Sequence, residues 1–222
     1  MEAIILVGGK GMRLRSVVSD VPKPLAPVDG VPFTDHLLKK LPTKSIIFSV
    51  GYLAQKIIDY YQGDPCIKFS VETEPLGTGG GARKAVELAS SDTVWVLNGD
   101  SYFDIDFEEM LRQHFETEAD ITLACRQVED SSRYGSLRIE GKQLRAFEEK
   151  RPGAGWINGG IYLMKKELLI QWPLNTPLSL EKEVFPELLL SDKAFFVYPS
   201  EGKFIDIGTP ESYSQAKEIV IA

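Results

Sequence analysis

Two aspartates lie where the sequence predicts the ends of buried strands. Asp100 comes directly after an apolar run, and Asp206 precedes a helix that would begin with Thr209 as its N-cap and Pro210 in its first turn. If two strands deliver these carboxylates to the same edge of one sheet, the pair forms an oxygen-rich site. Such a site suits Mg²⁺ that is shared with phosphate groups. The alternative is that Asp206 only caps a turn and that Asp100 faces water.

A glycine-rich segment follows the first apolar run and is typical of a phosphate site. Gly8, Gly9 and Gly11 place three glycines in four positions, so backbone N–H groups can approach an anion closely. Residues 8–25 also hold four basic side chains and one acid, a local charge of +3 in a chain of net charge −7. The basic residues are Lys10, Arg13, Arg15 and Lys23. The segment therefore predicts phosphate binding, and the alternative is a flexible turn with solvated charges.

A second glycine-rich segment, from Gly77 to Ala82, has the G-x-G-x-x-[GA] spacing of a dinucleotide site and opens a helical pattern. It follows the third predicted strand rather than the first, which argues against an NAD site. The first glycine segment lacks the third glycine of that fingerprint, and no Walker lysine follows it. Glycines at 77–80 could instead admit a flat ligand, such as a nucleobase, against bare backbone.

Composition narrows the class of protein. The 222 residues are 43% hydrophobic and 26% charged, as in an average globular domain. No apolar stretch approaches the roughly 18–20 residues that span a bilayer, and the run at 3–7 is too short for a secretory signal. The net charge of −7 argues against a general nucleic-acid binder. We therefore expect a cytoplasmic protein that binds neither membranes nor nucleic acid.

The histidines and cysteines offer little catalytic chemistry. His36 and His114 fall in predicted amphipathic helices, where a solvated or core-edge role is expected rather than metal binding. Cys66 and Cys125 form no C-x-x-C motif, and we expect both to be buried thiols in a reducing compartment. Motifs of zinc proteases, triad hydrolases and P-loop NTPases do not occur.

The order of apolar runs predicts how these residues are positioned. Up to about residue 118, strands and helices alternate, which predicts a mostly parallel central sheet flanked by helices. From residue 120 several strands follow in succession, at 120–127, 135–140, 143–148 and 156–164, before helices at 180–190 and 210–221. We expect a single α/β, Rossmann-like domain. Its nucleotide-binding part would span about 1–118, and a smaller antiparallel part would lie within 119–222.

Taken together, the motifs resemble those of the sugar-phosphate nucleotidyltransferases, in that family's order and over nearly the whole chain. They are Gly8-Gly9-Lys10-Gly11-Met12-Arg13-Leu14, Pro22-Lys23-Pro24-Leu25, Gly77-Thr78-Gly79-Gly80, Asn98-Gly99-Asp100 and Phe204-Ile205-Asp206-Ile207-Gly208. Within the family, residues 16–24 and 179–186 are most similar to the D-glycero-α-D-manno-heptose 1-phosphate guanylyltransferases. The resemblance implies transfer of a guanylyl group from GTP to a sugar 1-phosphate, with Mg²⁺ as cofactor, for bacterial surface polysaccharide.

The resemblance also implies roles for individual residues. Arg13 and Lys23 would be catalytic, and Asp100 and Asp206 would bind the metal. The nucleotide would be bound by Gly8, Gly9, Gly11, Glu74, Pro75, Gly77, Thr78, Gly79 and Gly80. The sugar phosphate would be bound by Tyr134, Gly135, Glu149, Lys150, Asn158 and Gly159.

The sequence departs from the family pattern and leaves other substrates open. The family usually has alanine and threonine where this chain has Val7 and Met12, and Met12 cannot offer a hydroxyl group to a phosphate. Mannose 1-phosphate, or N-acetylmuramate 1-phosphate with UTP, are alternative substrates. A non-catalytic paralogue that binds a nucleotide sugar is a third reading, but it would be expected to have lost Lys23 or a metal-binding acid. Association into a homo-oligomer is compatible with the sequence.

Overall fold

A computed structural model describes residues 1–14, 16–18, 20–148, 152–191 and 193–221. The strands are β1 (Ala3–Leu6), β2 (Pro27–Val28), β3 (Val31–Pro32), β4 (Ile46–Val50), β5 (Ile67–Val71), β6 (Thr93–Asn98), β7 (Ser101–Phe103), β8 (Ile121–Val128), β9 (Ser136–Glu140), β10 (Gln143–Glu148), β11 (Gly155–Lys165), β12 (Phe195–Pro199) and β13 (Phe204–Asp206). The α-helices are α1 (Phe33–Lys40), α2 (Ala54–Tyr61), α3 (Gly77–Ala85), α4 (Phe107–Glu116), α5 (Glu167–Ile170), α6 (Phe185–Leu190) and α7 (Pro210–Val220). Short 3₁₀ turns occupy Met12–Leu14, Lys23–Leu25 and Val86–Leu88, and a π-helical turn, Leu180–Val184, leads into α6.

The central sheet has nine strands in the order β5-β4-β1-β6-β11-β8-β12-β10-β9. The four strands from the first half of the chain, β5, β4, β1 and β6, are parallel to one another. In the second half, β12 runs parallel to β8, and the other pairings, including β6 with β11, are antiparallel. The α/β class and the single domain are confirmed. The sheet as a whole is mixed, because the second part adds its strands to the same sheet.

Apolar side chains on both faces of the sheet hold the helices in place. On one face, Trp95 of β6 packs edge-on against Phe107 of α4, with ring centroids 5.3 Å apart. On the other, Tyr162 of β11 packs against Phe185 of α6 at 5.0 Å. Each of these side chains is at least nine-tenths buried, so folding removes large apolar areas from contact with water on both faces of the sheet. Among the described residues, no helix is both long and apolar enough to cross a membrane.

A small second sheet changes one sequence-based expectation. Asp100 does follow β6 of the central sheet, but Asp206 ends β13, which pairs only with β7 in a separate two-stranded sheet of the described chain. The prediction that both acids come from the same edge of one sheet is therefore wrong. They still meet, because Asp206 pairs in register with Ser101, the residue next to Asp100. The predicted cap is confirmed, since the Thr209 side chain accepts a hydrogen bond from the Ser212 N–H.

Other local differences have simple physical reasons. Helix α3 begins at Gly77, the first residue of the second glycine-rich segment, and its glycines pack against neighbouring backbone (below). Strand β12 was not predicted, since a short apolar run cannot be assigned by periodicity alone. Cys66 is exposed, contrary to expectation, whereas Cys125 is buried and burial raises the pKa of its thiol to about 12. His114 is a core residue that hydrogen-bonds Thr122.

Candidate active site

A cavity of about 440 Å³ opens at the carboxyl ends of β1 and β6. That position is where ligands bind in open α/β sheets, and the volume lies in the range of small-molecule sites. Five segments line it: the loop after β1, the turn that carries Lys23, the segment from the end of β5 into α3, the loop after β6, and the loop after β13 through Gly208. Of the predicted site residues, those lining the cavity are Gly8, Gly9, Gly11, Arg13, Lys23, Pro75, Gly77, Thr78 and Asp100.

The loop after β1 presents bare backbone to this cavity. Gly11 has a left-handed φ of +56°, and a Cβ there would lie 3.3 Å from the Cβ of Lys23. At Gly9, a Cβ would meet none of the described residues within 4 Å, so the space beside its backbone is open. Lys10 and Arg13 flank these glycines with exposed positive charges. The loop can therefore bring N–H groups and cations to a phosphate at the same time.

Lys23 lies between the two predicted metal-binding acids. Its ammonium nitrogen is 2.6 Å from Asp100 Oδ2 and 3.8 Å from Asp206 Oδ1. The lysine side chain is only 11% exposed, and the turn that carries it is held between Pro22 and Pro24. Thr34, on α1, donates a hydrogen bond of 2.8 Å to the Pro24 carbonyl and ties this turn to the fold. One ammonium group thus lies between two converging carboxylates and offsets only part of their negative charge.

The two acids have unequal surroundings. Burial raises the pKa of Asp206, the nearby charge of Asp100 raises it further, and Lys23 opposes both effects. The Gly208 N–H also donates to Asp206 Oδ1, which favours the ionised form. Because Asp100 and Asp206 share the single ammonium group of Lys23, the site can accept a second, diffusible cation. Among the described residues, no three His, Cys, Asp or Glu side chains gather as a metal cage.

Glu72 is a cavity residue that the sequence analysis missed. Its Oε1 accepts a hydrogen bond of 3.0 Å from the Ser49 hydroxyl, and its Oε2 accepts one of 3.0 Å from the Leu76 N–H. The carboxylate lines the cavity beside Pro75, whereas Glu74, the acid selected from the sequence, is exposed and does not line it. Glu72 comes directly after β5, so the rule that singled out Asp100 could have found it.

The second glycine segment contacts the protein's own backbone. A Cβ on Gly77, whose φ is +71°, would lie 2.5 Å from the Leu178 carbonyl oxygen, and one on Gly80 would collide with the Thr176 carbonyl oxygen. The N–H groups of Gly79 and Gly80 both donate to the Leu178 carbonyl. These glycines let α3 pack tightly against residues 176–178. Gly79 and Gly80 do not line the cavity.

Of the residues predicted to bind a sugar phosphate, the described ones do not line the cavity. Tyr134 packs its ring against Phe204, at 5.7 Å. Burial raises the pKa of its phenol, and the charge of Asp206, two residues after Phe204, raises it further. The Asn158 amide donates to Tyr162, and a Cβ on Gly159 would collide with the ring of Phe103. Gly135 lies next to Tyr134 in the chain, one residue before β9. Glu149 and Lys150 lie outside the described residues.

The fold and this site define an enzyme class that handles phosphate esters by charge and position. The basic glycine loop and a lysine between two carboxylates can neutralise a polyphosphate, and no described histidine lines the cavity. The family model described as nucleotidyl transferase matches residues 2–222, and the chain belongs to this family.

Individual relatives narrow the likeness further. The chain is 40% identical over 226 residues to a D-glycero-alpha-D-manno-heptose 1-phosphate guanylyltransferase of Aneurinibacillus thermoaerophilus, covering 98% of this chain and 97% of that protein. A protein of the same name from Campylobacter jejuni is 38% identical, with coverage of 96% and 97%. The crystal structure of HddC from Yersinia pseudotuberculosis complexed with GMP-PN matches with a TM-score of 0.84 and 33% identity, covering 98% of each chain.

Proposed function

We propose that this enzyme transfers a guanylyl group from GTP to D-glycero-α-D-manno-heptose 1-phosphate, releasing pyrophosphate and GDP-heptose for bacterial surface polysaccharide. The observation that carries the chemistry is Lys23, which is held between Asp100 and Asp206 at the mouth of the glycine-lined cavity. The heptose assignment is supported by the two heptose 1-phosphate guanylyltransferases, which match this chain over 97% of their own length.

The reaction needs no general base. A phosphate monoester has its second pKa near 6, so a sugar 1-phosphate is largely dianionic at neutral pH. Its oxygen attacks the α-phosphorus of GTP in line. A new P–O bond forms as the bond from the α-phosphorus to the bridging oxygen breaks, and pyrophosphate leaves with that electron pair. The scarcity of histidine agrees with this chemistry, because no proton has to be removed from the nucleophile.

The protein contributes charge neutralisation and alignment. The Gly8–Gly11 backbone and Arg13 would bind the triphosphate, and the Lys23 ammonium would stabilise the negative charge that builds up between the reacting phosphates. Asp100 and Asp206 would hold Mg²⁺, since two converging carboxylates that leave other positions to phosphate oxygens suit this ion. When bound, Mg²⁺ supplies further positive charge to the phosphates.

Base recognition is assigned to Glu72. Guanine presents two donors on its Watson–Crick edge, N1–H and the 2-amino group, and an ionised carboxylate accepts at both oxygens. Each Glu72 oxygen makes one hydrogen bond of 3.0 Å within the protein, which orients the carboxylate and leaves further lone pairs for the base. Pro75, Gly77 and Thr78 line the same side of the cavity and would contact the base and ribose.

The sugar phosphate would bind beside the acids. Tyr134 and Asn158 would contact the sugar, and Gly135, Gly159, Glu149 and Lys150 remain predicted contacts. A location in the cytoplasm, where GTP is available, and a homo-oligomeric state also remain predictions. Size-exclusion chromatography with light scattering measures the oligomeric state directly.

Pyrophosphate release with Mg²⁺, the four common NTPs and a panel of sugar 1-phosphates tests the proposal. Turnover that is greatest with GTP and the heptose 1-phosphate supports it. Turnover only with another pair would keep the class and replace the substrates. No turnover with any pair, while nucleotide still binds, would favour a regulatory paralogue and remove every catalytic role assigned above.

A matched pair of variants tests the base assignment. Glu72→Gln replaces one acceptor with an amide donor, so we expect the KM for GTP to rise by about tenfold, which corresponds to about 1.4 kcal/mol. Glu74→Gln, two residues away, changes an exposed side chain that does not line the cavity, and its KM should match wild type. Equal KM values for the two variants would remove Glu72 from base recognition.

Mannose 1-phosphate is the second candidate substrate. A mannose-1-phosphate guanylyltransferase of Mycobacterium tuberculosis is 34% identical over 96% of this chain, although the match covers only 62% of that longer protein. The sugar panel separates the two substrates, because only the sugar differs while the nucleotide and the leaving group stay the same.

A further inference from the structure

Buried and half-buried polar side chains form a hydrogen-bonded chain that joins the nucleotide side of the site to the sugar side. At its centre is Glu181, in the π-helical turn before α6. Glu181 Oε2 accepts a hydrogen bond of 3.2 Å from the Thr78 hydroxyl, and Glu181 Oε1 accepts one of 3.2 Å from the Tyr162 hydroxyl. Tyr162 in turn accepts a hydrogen bond of 2.6 Å from the Asn158 amide. Four side chains from three separate segments are thereby connected.

The two ends of this hydrogen-bonded chain lie at different subsites. Thr78 lines the cavity assigned to the nucleotide. Asn158 belongs to the proposed sugar subsite and lies on β11 where the pairing with β8 shifts register between residues 158 and 162. The Asn158 Oδ1 accepts a hydrogen bond of 2.9 Å from Gly160 N–H, and Gly160 adopts a φ of +71°. The irregular stretch of β11 leaves Asn158 dependent on these contacts for its orientation.

In the middle of this hydrogen-bonded chain, the hydroxyl groups of Tyr162 and Thr78 each donate one hydrogen bond and accept another. The Tyr162 side chain is fully buried in the apolar core, and its hydroxyl uses its one proton on Glu181 and a lone pair on Asn158. The Thr78 hydroxyl likewise donates to Glu181 and accepts a hydrogen bond of 2.9 Å from the Leu180 N–H. Ser179, the N-cap of the turn, adds a hydrogen bond of 3.1 Å to Glu181 Oε2. Because the hydrogen-bonding groups are paired in this arrangement, displacement of one end changes the other.

We propose that Glu181 is a positioning residue that couples the two substrate subsites, an inference that rests on the proposed function. Its carboxylate orients Thr78 at the nucleotide and, through the Tyr162 hydroxyl, orients Asn158 at the sugar. Nucleotide binding that fixes Thr78 therefore pre-orders the sugar subsite. By linkage, the sugar phosphate strengthens nucleotide binding by the same factor.

Isothermal titration calorimetry measures this coupling. The probes are the heptose 1-phosphate and GTP in which a methylene group replaces the α,β-bridging oxygen, so that no transfer occurs. In wild type we expect the sugar-phosphate Kd to fall by about 5- to 20-fold when the analogue is bound, within the usual range of coupling between sites. In Tyr162→Phe, which keeps the ring and loses only the hydroxyl, the ratio of the two Kd values should approach one.

Two further variants distinguish coupling from a loss of stability. Tyr61→Phe also removes a buried tyrosine hydroxyl that donates to a carboxylate, that of Asp35 on α1, so it is the matched control and should keep the wild-type ratio. Glu181→Gln replaces an acceptor oxygen with an amide donor and should lower the ratio as Tyr162→Phe does. It also provides the test if Tyr162→Phe does not fold.

The outcomes are separable from those of the proposed function. A wild-type ratio of one, or a wild-type ratio retained in Tyr162→Phe or Glu181→Gln, would overturn the coupling role. Loss of coupling in Tyr61→Phe as well would also overturn it, since any buried hydroxyl would then suffice. If wild type turns over a different NTP and sugar pair, the proposed substrates fail, and the same titration with that sugar and the methylene analogue of that NTP still decides the coupling.

Discussion

The molecule has two glycine-rich segments that look alike in sequence and differ in what they face. Beside Gly9, in the loop after β1, the described chain leaves open space into which a ligand can come. Beside Gly77 and Gly80, at the start of α3, the same absence of a Cβ is used by the carbonyl oxygens of Leu178 and Thr176. The first segment leaves its backbone open to the cavity, and the second accommodates the protein's own backbone.

The difference shows that glycine spacing alone does not identify a binding loop. The G-x-G-x-x-A pattern, which is typical of dinucleotide-binding sites, occurs in the second segment, whose glycines pack against the protein's own backbone. The loop that carries the basic residues lacks the full pattern. Nearby basic residues do not separate the two either, because Arg83 and Lys84 follow the second segment directly. What differs is position in the fold, since Arg13 and Lys23 line the cavity whereas Arg83 and Lys84 do not.

The largest expected effect tests the charge assigned to the first segment. Lys23→Ala should lower kcat/KM for pyrophosphate release by about 10²–10³, or about 3–4 kcal/mol, as when one preorganised donor is removed from a transition state. The protein should remain folded, since the alanine removes a side chain from a cavity wall. A variant with near-full turnover would contradict the role given to Lys23.

The next effect tests packing in the second segment. Gly80→Ala places a methyl group against the Thr176 carbonyl, and overpacking of this kind costs about 1–3 kcal/mol. Alanine also has a higher helix propensity than glycine, by at most about 1 kcal/mol. This gain offsets only part of the upper range of the overpacking cost. Thermal denaturation should show a lower Tm, by about 2–4 °C for each kcal/mol in a chain of this size. An unchanged or raised Tm would show that the two backbones have room to separate.

The smallest effect comes from the matching substitution in the open loop. Gly9→Ala meets no described neighbour, and Gly9 does not have a left-handed φ, so stability should change by less than about 0.5 kcal/mol. The added methyl group would narrow the approach of a phosphate, and the KM for GTP should rise by about three- to tenfold, or about 0.7–1.4 kcal/mol. Steady-state kinetics beside a Tm measurement gives both values. A fall in Tm without a change in the KM for GTP would show that Gly9 serves packing rather than ligand binding, which is the reverse of the difference drawn between the two segments.

Met12→Thr provides a control for that experiment. The Met12 side chain lies in the same loop, is 68% exposed, and lines the cavity. Threonine restores the hydroxyl group that the family usually carries there, so the KM for GTP should fall slightly rather than rise. A KM for GTP that rises in Gly9→Ala and falls in Met12→Thr would show that the loop itself contacts the triphosphate.

Much of the fold was predictable because hydrophobic periodicity is a local property. The alternation of strands and helices up to residue 118 and the strands at 120–164 match the structure within a few residues. The short strands β7, β12 and β13 were harder, since three to five apolar residues carry little periodic signal. Their positions depend on partners far along the chain, and β13 is what brings Asp206 to Asp100.

The sequence by itself determined which residue types stand at the ends of strands, and therefore that the basic glycine loop and Asp100 would lie at one end of an α/β domain. Only the tertiary structure decided which acid enters the cavity, which glycines face a ligand, and how Thr78 meets a carboxylate 103 residues later. The physical reason is range. Strand and helix patterns arise from neighbours a few residues apart, whereas hydrogen bonds and close packing between distant segments exist only once the chain has folded.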